Sequence, residues 1–462
     1  MRKINNEVFR QYDIRGIVGD ELTDEFVGLL GKAIGTYILR KGFDQAVVGR
    51  DNRESSPAIR QQLVAGLVST GCNVVDIGEV ITPIFYYARV LYDMPGGAMI
   101  TGSHNPSNYN GFKISGDKGP GTIYGDEIQK LRQLIEADDF ESGSGTVVEK
   151  NPVKDYLDML AEKIKLGPQQ LKVVVDCGNG TASDFAPEFL RRLGCEVECL
   201  YCESDPTFPN HHPDPVKTAN LQDLIKKVAE VGADVGVSFD GDADRIGAVD
   251  EKGTIIWGDT LMILYWREIM KKHPGADAII EVKCSQALVD EVEKLGGRPV
   301  FYKTGHSLIK AKMKELKAVF TGEMSGHMFF ADEFYGFDDA LYATGRLLRI
   351  LSNDKRSLSE MLADVAEYHA TPETRIDCPD SRKFDIVEQV AADFKQDYKV
   401  IDIDGARVLF PGGWGLIRCS NTQPVIVARC EGKTPADLEF ISGVVKEKLM
   451  QFAEIGDFQW GD

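Results

Sequence analysis

The feature that most constrains the fold is a pattern that occurs three times along the chain. In each copy an apolar strand is followed by a helix, a terminal glycine and a second strand. The strand, helix and strand segments are 46–49, 57–69 and 74–77 in the first copy, 171–176, 186–193 and 196–200 in the second, and 278–282, 285–295 and 299–302 in the third. A strand–helix–strand unit joins parallel strands of one sheet, so the repeat predicts three related α/β domains with largely parallel sheets.

The chain is long enough for several domains. One hydrophobic core rarely organises as many as 462 residues, so three or four domains are expected. The stretch 141–146, which is rich in glycine and serine, predicts a flexible polar linker and a boundary close to it. The repeat ends near residue 371. We therefore predict domains over residues 1–149, 150–255, 256–370 and 371–462.

In each copy a further short strand ends in an unusual loop. The three loops centre on Ser103, Asp240 and Glu323. Ligands of α/β sheets bind beyond the carboxyl ends of the strands. This topology would let the three loops face one cleft.

The first loop, residues 101–106, presents a hydroxyl and an imidazole side by side. The apolar run 97–100 indicates a buried strand end, and the proline after Asn105 disfavours a helical start. Ser103 is therefore expected at a strand-to-loop exit, where Gly102 leaves it uncrowded. Such a serine is either a nucleophile or phosphate carrier, or a turn serine bonded to its own backbone.

The second loop places three carboxylates at alternate positions, Asp240, Asp242 and Asp244. Their mutual repulsion is unfavourable without a cation, and hard oxygen ligands suit Mg²⁺. A calcium EF-hand is rejected because Arg245 stands where that loop requires glycine and because the flanks are strand-like. Two alternatives remain: an aspartyl-phosphate nucleophile at Asp240, as in haloacid dehalogenase-like phosphotransferases, and a solvated acidic turn.

Two further segments carry groups suited to binding hydroxyls and phosphate. Residues 321–327 hold Glu323, Ser325 and His327 between glycines, and one carboxylate can bind two adjacent sugar hydroxyls. The alternative for this loop is a glycine-rich turn with incidental polar residues. Residues 414–424 place an arginine, hydroxyls, an amide and turn N–H groups together, which favours a phosphate cradle over an ordinary polar turn.

The net charge of −19 argues against nucleic acid and anionic membranes as partners. A negative surface also repels phosphate esters, so a phosphate-binding protein of this composition has to concentrate its cations where the loops converge. The basic residues in or beside the motifs are Arg15, Lys113, Arg245, Lys283, Lys303, His306, His327 and Arg418.

Composition also bears on compartment and on metal binding. The N-terminus has no apolar stretch and the chain no apolar run of about 18 residues, which predicts a cytoplasmic protein. Nine scattered cysteines fit a reducing compartment without a disulfide framework.

Zinc ligands are suggested by the spacing of Cys195, Cys199, Cys202, His211 and His212. However, Cys199 and Cys202 would face opposite sides of a strand, so zinc is not expected.

Five segments together resemble the α-D-phosphohexomutase superfamily, most closely its bacterial phosphomannomutase/phosphoglucomutase branch. They read Phe-Arg-x-Tyr-Asp-Ile-Arg-Gly from residue 9, Thr-Gly-Ser-His-Asn-Pro from 101, Asp-Gly-Asp-Ala-Asp-Arg from 240, Gly-Glu-Met-Ser-Gly-His from 322 and Arg-Cys-Ser-Asn-Thr from 418. The motifs follow the family's order and cover essentially the whole chain. The resemblance implies three related mixed-sheet α/β domains and a smaller C-terminal α+β domain around a central cleft.

The resemblance also implies roles for individual residues. Ser103 would carry a phosphoryl group, and Mg²⁺ would be held by Asp240, Asp242, Asp244 and a phosphoryl oxygen on Ser103. His104, Lys113 and Arg15 would act close to the transferring group. The residues implied in substrate binding are Tyr12, Arg15, Arg245, Lys283, His306, Glu323, Ser325, His327, Arg418, Ser420, Asn421 and Thr422.

The implied reaction interconverts hexose 1-phosphates and hexose 6-phosphates. Phosphorylated Ser103 would give its phosphoryl group to the free hydroxyl, forming a hexose 1,6-bisphosphate that turns end for end before the opposite phosphate returns to Ser103. If Glu323 binds the 3- and 4-hydroxyls, its contacts do not distinguish sugars that are epimers at carbon 2. Both mannose and glucose phosphates are therefore expected to react. Two other functions remain open: a dehalogenase-like phosphotransferase that uses Asp240, and a catalytically silent sugar-phosphate-binding or scaffold protein.

Overall fold

The computed structural model describes residues 4–119, 121–420 and 423–461, and its first sheet belongs to an α/β unit. The elements of this unit are β1 (Ile14–Ile17), α1 (Asp24–Arg40), β2 (Gln45–Arg50), α2 (Ser56–Ser69), β3 (Asn73–Glu79), α3 (Thr82–Leu91), β4 (Gly96–Ile100), β5 (Tyr109–Gly116), α4 (Asp126–Ala137) and β6 (Val147–Glu149). The strand order is β1-β5-β4-β2-β3-β6. Strands β2, β3, β4 and β6 pair in parallel, whereas β5 is antiparallel to β4 and β1.

The second and third units repeat this plan. The second unit contains α5 (Val153–Lys163), β7 (Lys172–Asp176), α6 (Ala186–Arg192), β8 (Glu196–Leu200), α7 (Gln222–Val231), β9 (Val235–Phe239), β10 (Ile246–Asp250) and β11 (Ile255–Ile256). The third contains α8 (Gly258–Ile269), β12 (Asp277–Glu281), α9 (Gln286–Lys294), β13 (Arg298–Tyr302), α10 (His306–Leu316), β14 (Phe320–Gly322), β15 (Met328–Phe330), α11 (Ala340–Ser352) and α12 (Leu358–Leu362). The strand orders are β11-β10-β9-β7-β8 and β13-β12-β14-β15.

The three predicted strand–helix–strand copies are confirmed, and each forms a parallel pair: β2 with β3, β7 with β8, and β12 with β13. Each unusual loop then joins a strand to an antiparallel neighbour, namely β4 to β5, β9 to β10, and β14 to β15. The sheets are therefore mixed, because each of these loops returns the chain alongside the strand it has just left.

The last unit is a smaller α+β unit built on an antiparallel sheet. Its elements are β16 (His369–Ala370), β17 (Thr374–Asp377), α13 (Asp380–Phe394), β18 (Lys399–Ile401), β19 (Ala406–Phe410), β20 (Gly413–Cys419), β21 (Val425–Gly432) and α14 (Pro435–Leu449). The order is β16-β21-β20-β19-β18, and β17 also pairs with β21. Short 3₁₀ helices lie elsewhere in the chain at Asn6–Val8, Thr181–Asp184 and Thr218–Leu221. The predicted architecture of three mixed-sheet α/β units and one α+β unit is confirmed.

One hydrophobic core runs through the first three units and includes the fully buried Tyr86 of α3 and Trp266 of α8. The fourth unit has a core of its own. It meets the third unit at a small cluster formed by Val282, Trp414 and Leu416. The first three units thus pack as one body, to which the fourth is attached. None of the described helices combines the length and the apolar character needed to cross a lipid bilayer.

The stretch predicted as a flexible linker, residues 141–146, packs against the first unit. The N–H of Gly143 donates to the Ser69 carbonyl at 3.0 Å. A Cβ atom on Gly145 would lie 2.0 Å from the Cys72 carbonyl oxygen. The glycines therefore permit close backbone approach, and the linker prediction is wrong because the same composition serves either flexibility or tight packing.

Two predicted domain limits differ slightly from those that strand pairing indicates. The limit at residue 255 cuts β11, which pairs with β10 of the second sheet. The limit at residue 370 comes after β16, which pairs with β21 of the fourth sheet. Strand pairing therefore places 256 with the second unit and 369–370 with the fourth, a difference of one or two residues from the predicted limits.

Candidate active site

The Ser103 loop, residues 101–106, lies directly against the acidic loop, residues 240–245. The Ser103 Oγ donates to Asp240 Oδ2 at 2.7 Å and lies 3.1 Å from His104 Nδ1. Ser103 is buried, and its φ of +47° lies in the left-handed region that residues other than glycine seldom adopt. The structure thus holds the predicted serine where the first and second units meet.

The acidic loop is a tight turn between β9 and β10. The Asp240 Oδ1 accepts the backbone N–H groups of Asp244 at 3.1 Å and Arg245 at 3.2 Å. Ala243 adopts the left-handed conformation, with φ of +55°. The turn makes the three carboxylates converge: Asp240, Asp242 and Asp244 are fully buried, and one oxygen from each lies within 4.8 Å of the others.

Lys113 on β5 supplies a cation to this cluster. Its Nζ lies 2.7 Å from Asp242 Oδ2 and also donates to Asp244 Oδ2. Burial raises the pKa of Asp240 well above its ordinary value, and the charges of Asp244 and Asp242 add to the effect. Burial disfavours the charged form of Asp242 too, but the Lys113 ammonium outweighs it and lowers the pKa of that carboxyl. The cluster is only partly neutralised by protein groups.

The donor set fits a divalent cation. Within the described part of the chain, Asp242 Oδ1 and Asp244 Oδ1 are buried and accept no hydrogen bond. Buried carboxylate oxygens without partners are unfavourable, and a hard divalent cation prefers such oxygen ligands. These residues are therefore able to hold a metal ion.

Arg245 and His327 join the second unit to the third. The Arg245 Nε donates to His327 Nε2 at 3.0 Å. Because arginine has no acceptor, Nε2 accepts this bond and the proton of a neutral ring lies on Nδ1. That Nδ1 lies 3.0 Å from Asp338 Oδ2 and 3.5 Å from Asp244 Oδ1. The imidazole is therefore held between the acidic loop and a second buried carboxylate.

The Glu323 loop, residues 321–327, is fixed by hydrogen bonds to its surroundings. The Gly305 N–H donates to Glu323 Oε1 at 2.7 Å. Burial raises the pKa of Glu323, and the negative charge of Glu281 adds to the effect. Ser325 in the same loop is half-buried. The Glu323 carboxylate is thus anchored by one oxygen at the start of α10.

Arg418 at the end of β20 reaches the third unit through a shared acceptor. Its Nε donates to Asp404 Oδ2 at 3.0 Å, and the same oxygen accepts the Thr304 N–H at 3.1 Å. Arg418 is 6% exposed. The neighbouring predicted residues Asn421 and Thr422 lie outside the described residues.

Lys283 and Ser420 are buried as well. The Lys283 Nζ lies 3.3 Å from Glu281 Oε1 and 3.2 Å from Glu373 Oε2. Burial opposes the charge of Lys283, but these two carboxylates outweigh it and raise its pKa. The Ser420 Oγ accepts the Gln423 N–H at 3.1 Å.

Two residues of the first unit complete the site. The Tyr12 ring lies against His306, with centroids 5.4 Å apart, and His306 stacks on His327 at 5.6 Å. The Arg15 Nη1 donates to Asn105 Oδ1 at 2.7 Å. Burial lowers the pKa of His306 well below its ordinary value, so this ring is neutral at physiological pH.

Direct contacts therefore link all four units. The successive pairs are Ser103 with Asp240, Asp244 with His327, His327 with His306, His306 with Tyr12, Gly305 with Glu323, and Thr304 with Arg418 through Asp404. Predicted side chains from each of the four units therefore take part in one network, although their chemical roles remain predictions.

Sequence reasoning overlooked Arg53, Asp338 and Asp404. Arg53 follows β2, which ends at the same edge of the sheet as β4, and charged residues after a buried strand are a usable signal. Asp338 precedes Asp339, whose side chain caps α11 by accepting the Tyr342 N–H. The helix cap accounts for Asp339 but not for Asp338. The presence of a second aspartate that the cap does not require is the signal that could have identified Asp338.

Comparisons with known proteins agree with this arrangement. Four domain families match the chain in order: phosphoglucomutase/phosphomannomutase alpha/beta/alpha domains I, II and III at residues 6–142, 154–253 and 257–368, and the C-terminal domain at 373–445. The chain is 46% identical over 445 residues to the phosphomannomutase/phosphoglucomutase of Pseudomonas aeruginosa, covering 96% of this chain and 95% of that protein. It is 42% identical over 451 residues to the phosphoglucomutase of Neisseria gonorrhoeae, covering 96% and 97%.

A solved structure gives the same result. The crystal structure of a phosphoglucomutase/phosphomannomutase family protein from Burkholderia thailandensis superposes with a TM-score of 0.91 at 40% identity. The match covers 97% of this chain and 98% of that one. The similarity therefore extends over all four units and their relative arrangement.

Proposed function

This chain belongs to the phosphoglucomutase/phosphomannomutase family, and we propose that it interconverts hexose 1-phosphates and hexose 6-phosphates through a phosphorylated Ser103. The observation that carries the proposal is the 2.7 Å hydrogen bond from Ser103 Oγ to Asp240 Oδ2. This bond joins the hydroxyl proposed to carry phosphate to one of the three carboxylates proposed to hold metal, which supports the proposal. The Pseudomonas aeruginosa relative is named for both mannose and glucose substrates, and we propose phosphates of both sugars for this chain.

The proposed transfer exchanges one phosphorus–oxygen bond for another. The bond between Ser103 Oγ and phosphorus breaks as a bond forms between phosphorus and the free hydroxyl oxygen of the sugar phosphate. The sugar hydroxyl loses its proton, and Ser103 Oγ takes one up. The product of this half-reaction is a hexose 1,6-bisphosphate, and transfer of its other phosphoryl group to Ser103 completes the interconversion.

The acidic loop is proposed to hold Mg²⁺ through Asp240, Asp242 and Asp244, together with an oxygen of the phosphoryl group on Ser103. When bound, the metal offsets negative charge on the transferring group. Lys113 adds a second positive charge, since its Nζ already contacts Asp242. Positioning and electrostatic stabilisation supply most of the acceleration in phosphoryl transfer.

Two further groups are proposed to act beside the transferring phosphoryl group. Arg15 is held by Asn105 within the Ser103 loop and carries a permanent positive charge. Burial lowers the pKa of His104 well below its ordinary value, with Arg245 and Arg15 adding to the effect. A neutral imidazole 3.1 Å from Ser103 Oγ is suited to exchanging a proton with that oxygen.

Side chains outside the Ser103 loop are proposed to bind the substrate. Glu323 would bind sugar hydroxyls, while Arg418 would anchor the phosphate that is not being transferred. A bidentate arginine accepts either phosphate of the bisphosphate, and this is needed if the intermediate turns end for end. The remaining proposed contacts are Tyr12, Arg245, Lys283, His306, Ser325, His327 and Ser420, with Asn421 and Thr422 from outside the described residues.

The proposal is tested by intact mass and by the variant Ser103→Ala. The native protein is expected to carry one phosphoryl group, and the variant is expected to lose both that group and nearly all turnover. Ser107→Ala, at an exposed serine of the same loop region, is the matched control and is expected to behave as wild type. Retained phosphate and turnover in Ser103→Ala would instead assign the nucleophile to Asp240. A wild-type protein that binds sugar phosphate without turnover would indicate a binding or scaffold protein.

A further inference from the structure

We infer that Arg53 is the positioning residue of the Ser103 loop: its guanidinium sets the backbone conformation that aims the Ser103 hydroxyl at the acidic loop. The inference rests on the proposed function, because it concerns the residue proposed to carry the phosphoryl group. Arg53 is buried and takes no direct part in the proposed phosphoryl transfer.

The chain from Ser103 to Tyr109 wraps around this guanidinium, whose side chain is 1% exposed. The two terminal nitrogens donate to four backbone carbonyls: Nη1 to Pro106 at 2.6 Å and Tyr109 at 3.0 Å, and Nη2 to Ser103 at 2.8 Å and Asn105 at 2.5 Å. The Nε lies 3.3 Å from Asp51 Oδ2. A guanidinium has five N–H groups, and each of the five has a partner here.

One of these carbonyls belongs to the strained residue itself. Ser103 adopts a left-handed backbone conformation, which a residue other than glycine keeps only when its surroundings enforce it. The Thr101 Oγ1 accepts the Ser103 N–H at 2.9 Å, and the Arg53 Nη2 donates to the Ser103 carbonyl. The peptide groups on both sides of the serine are therefore held, and Arg53 holds the second.

Gly102 and Asp51 fit the same arrangement. A Cβ atom on residue 102 would lie 2.3 Å from Arg53 Nε, so the guanidinium occupies the space beside the glycine. The Asp51 Oδ2 accepts the Gly102 N–H at 2.9 Å. Asp51 thus neutralises the buried arginine and holds the residue before Ser103 at the same time.

A lysine in place of Arg53 cannot make the same set of hydrogen bonds. An arginine presents a planar fork of donors, whereas a lysine presents three donors at a single point. Four carbonyls spread around the guanidinium plane cannot all be reached from one ammonium nitrogen. Arg53→Lys therefore keeps the charge and releases part of the loop.

The expected consequence is a loss of turnover with little loss of substrate affinity. Displacing a reacting group by about 1 Å costs about 100-fold in rate, and the Ser103 hydroxyl is the group displaced. We expect Arg53→Lys to lower kcat about 100-fold while KM stays within about threefold, because Glu323 and Arg418, proposed to bind the sugar hydroxyls and the phosphate, lie in other loops.

The experiment measures three quantities on the purified full chain. They are the kinetic constants with glucose 1-phosphate, the rate at which dephosphorylated protein gains a phosphoryl group from glucose 1,6-bisphosphate by intact mass, and the melting temperature. Arg60→Lys is the matched control, because Arg60 is an arginine of the same unit whose guanidinium donates to Asp76 of β3. A slow gain of phosphate in Arg53→Lys, with a melting temperature close to wild type, supports the inference.

Wild-type rates of phosphate gain and turnover in Arg53→Lys would overturn it. If Arg53→Lys does not fold, Gly102→Ala is used as the second test. This variant keeps the arginine, but the added Cβ displaces its guanidinium. Wild-type rates of phosphate gain and turnover in Gly102→Ala would also overturn the inference. A wild-type protein that gains no phosphoryl group contradicts the proposed function. Normal gain in the wild type and in both variants contradicts only the role of Arg53.

Discussion

The ammonium nitrogen of Lys113 lies 2.7 Å from Oδ2 of Asp242, although 129 residues separate the two along the chain. Both side chains are almost completely buried. Lys113 belongs to the first unit and Asp242 to the second, so the contact joins the sheet that presents Ser103 to the loop that presents the carboxylates. The Lys113 ammonium and a bound metal ion would both contact these carboxylates. How much each cation contributes to stability can be measured.

Lys113→Met is expected to lower the melting temperature of the metal-free protein. Removing one partner of a buried ion pair costs about 3–5 kcal/mol, because the other charge is left uncompensated. Added Mg²⁺ is expected to raise the melting temperature of the variant more than that of the wild type, since it then supplies the missing charge. Lys118→Met, which removes an exposed partner of Asp93, is the control. Equal magnesium shifts in wild type and Lys113→Met would contradict the prediction.

Glu323→Gln is expected to raise KM for mannose 1-phosphate and glucose 1-phosphate by a similar factor, about tenfold. This factor corresponds to about 1.4 kcal/mol, within the range for losing the charge from a hydrogen bond. The glutamine still accepts the Gly305 N–H, so the loop is expected to stay in place. Glu315→Gln, on the exposed side of α10, serves as the control. If the wild-type protein turned over one of the two sugar phosphates and showed no activity toward the other, the shared hydroxyl contact would be refuted.

Asp339→Asn is expected to change how stability depends on pH. Burial raises the pKa of Asp339 from 3.8 to about 7. Between these values the folded protein binds the proton more tightly than the unfolded chain, so stability from this group falls as pH rises. The difference between the two pKa values sets an upper bound of about 4 kcal/mol on this contribution to the free energy of unfolding. The asparagine stays neutral and can still accept the Tyr342 N–H that caps α11.

The melting temperature of Asp339→Asn relative to wild type should therefore increase between pH 5 and pH 8. Asp155→Asn, at an exposed position of α5, is the control and should show a constant difference from wild type. A difference for Asp339→Asn that does not vary with pH would show that the buried carboxyl is not the titrating group.

Two glycine variants are expected to change stability in opposite directions. Gly145→Ala should lower the melting temperature, because its Cβ would lie 2.0 Å from the Cys72 carbonyl oxygen. Gly28→Ala should raise it, since Gly28 lies within α1 with no atom within 4 Å of the added carbon, and alanine favours a helix by about 1 kcal/mol over glycine. Thermal unfolding of the two variants side by side tests both, and a stable Gly145→Ala would restore the flexible-linker interpretation.

Local features of this protein were predictable from sequence. The helix predicted over 57–69 is α2, Ser56–Ser69, and the helix predicted over 285–295 is α9, Gln286–Lys294. The sequence also predicts Ser103 and Asp240 just after buried strands, and they follow β4 and β9. Hydrophobic periodicity, glycine stops and proline positions depend on residues a few places apart, so a single sequence contains the information needed for such predictions.

The strands, the helices and the loop motifs, together with the resemblance that orders them, can therefore be inferred from the amino-acid sequence alone. The folded chain is needed to see that Lys113 meets Asp242, that Arg53 lies inside the Ser103 loop, and that Asp404 joins Thr304 to Arg418. The Arg53–Ser103, Thr304–Asp404 and Lys113–Asp242 contacts join residues 50, 100 and 129 positions apart. They depend on which backbones approach one another when the shared core forms, and no local pattern of side chains encodes that approach.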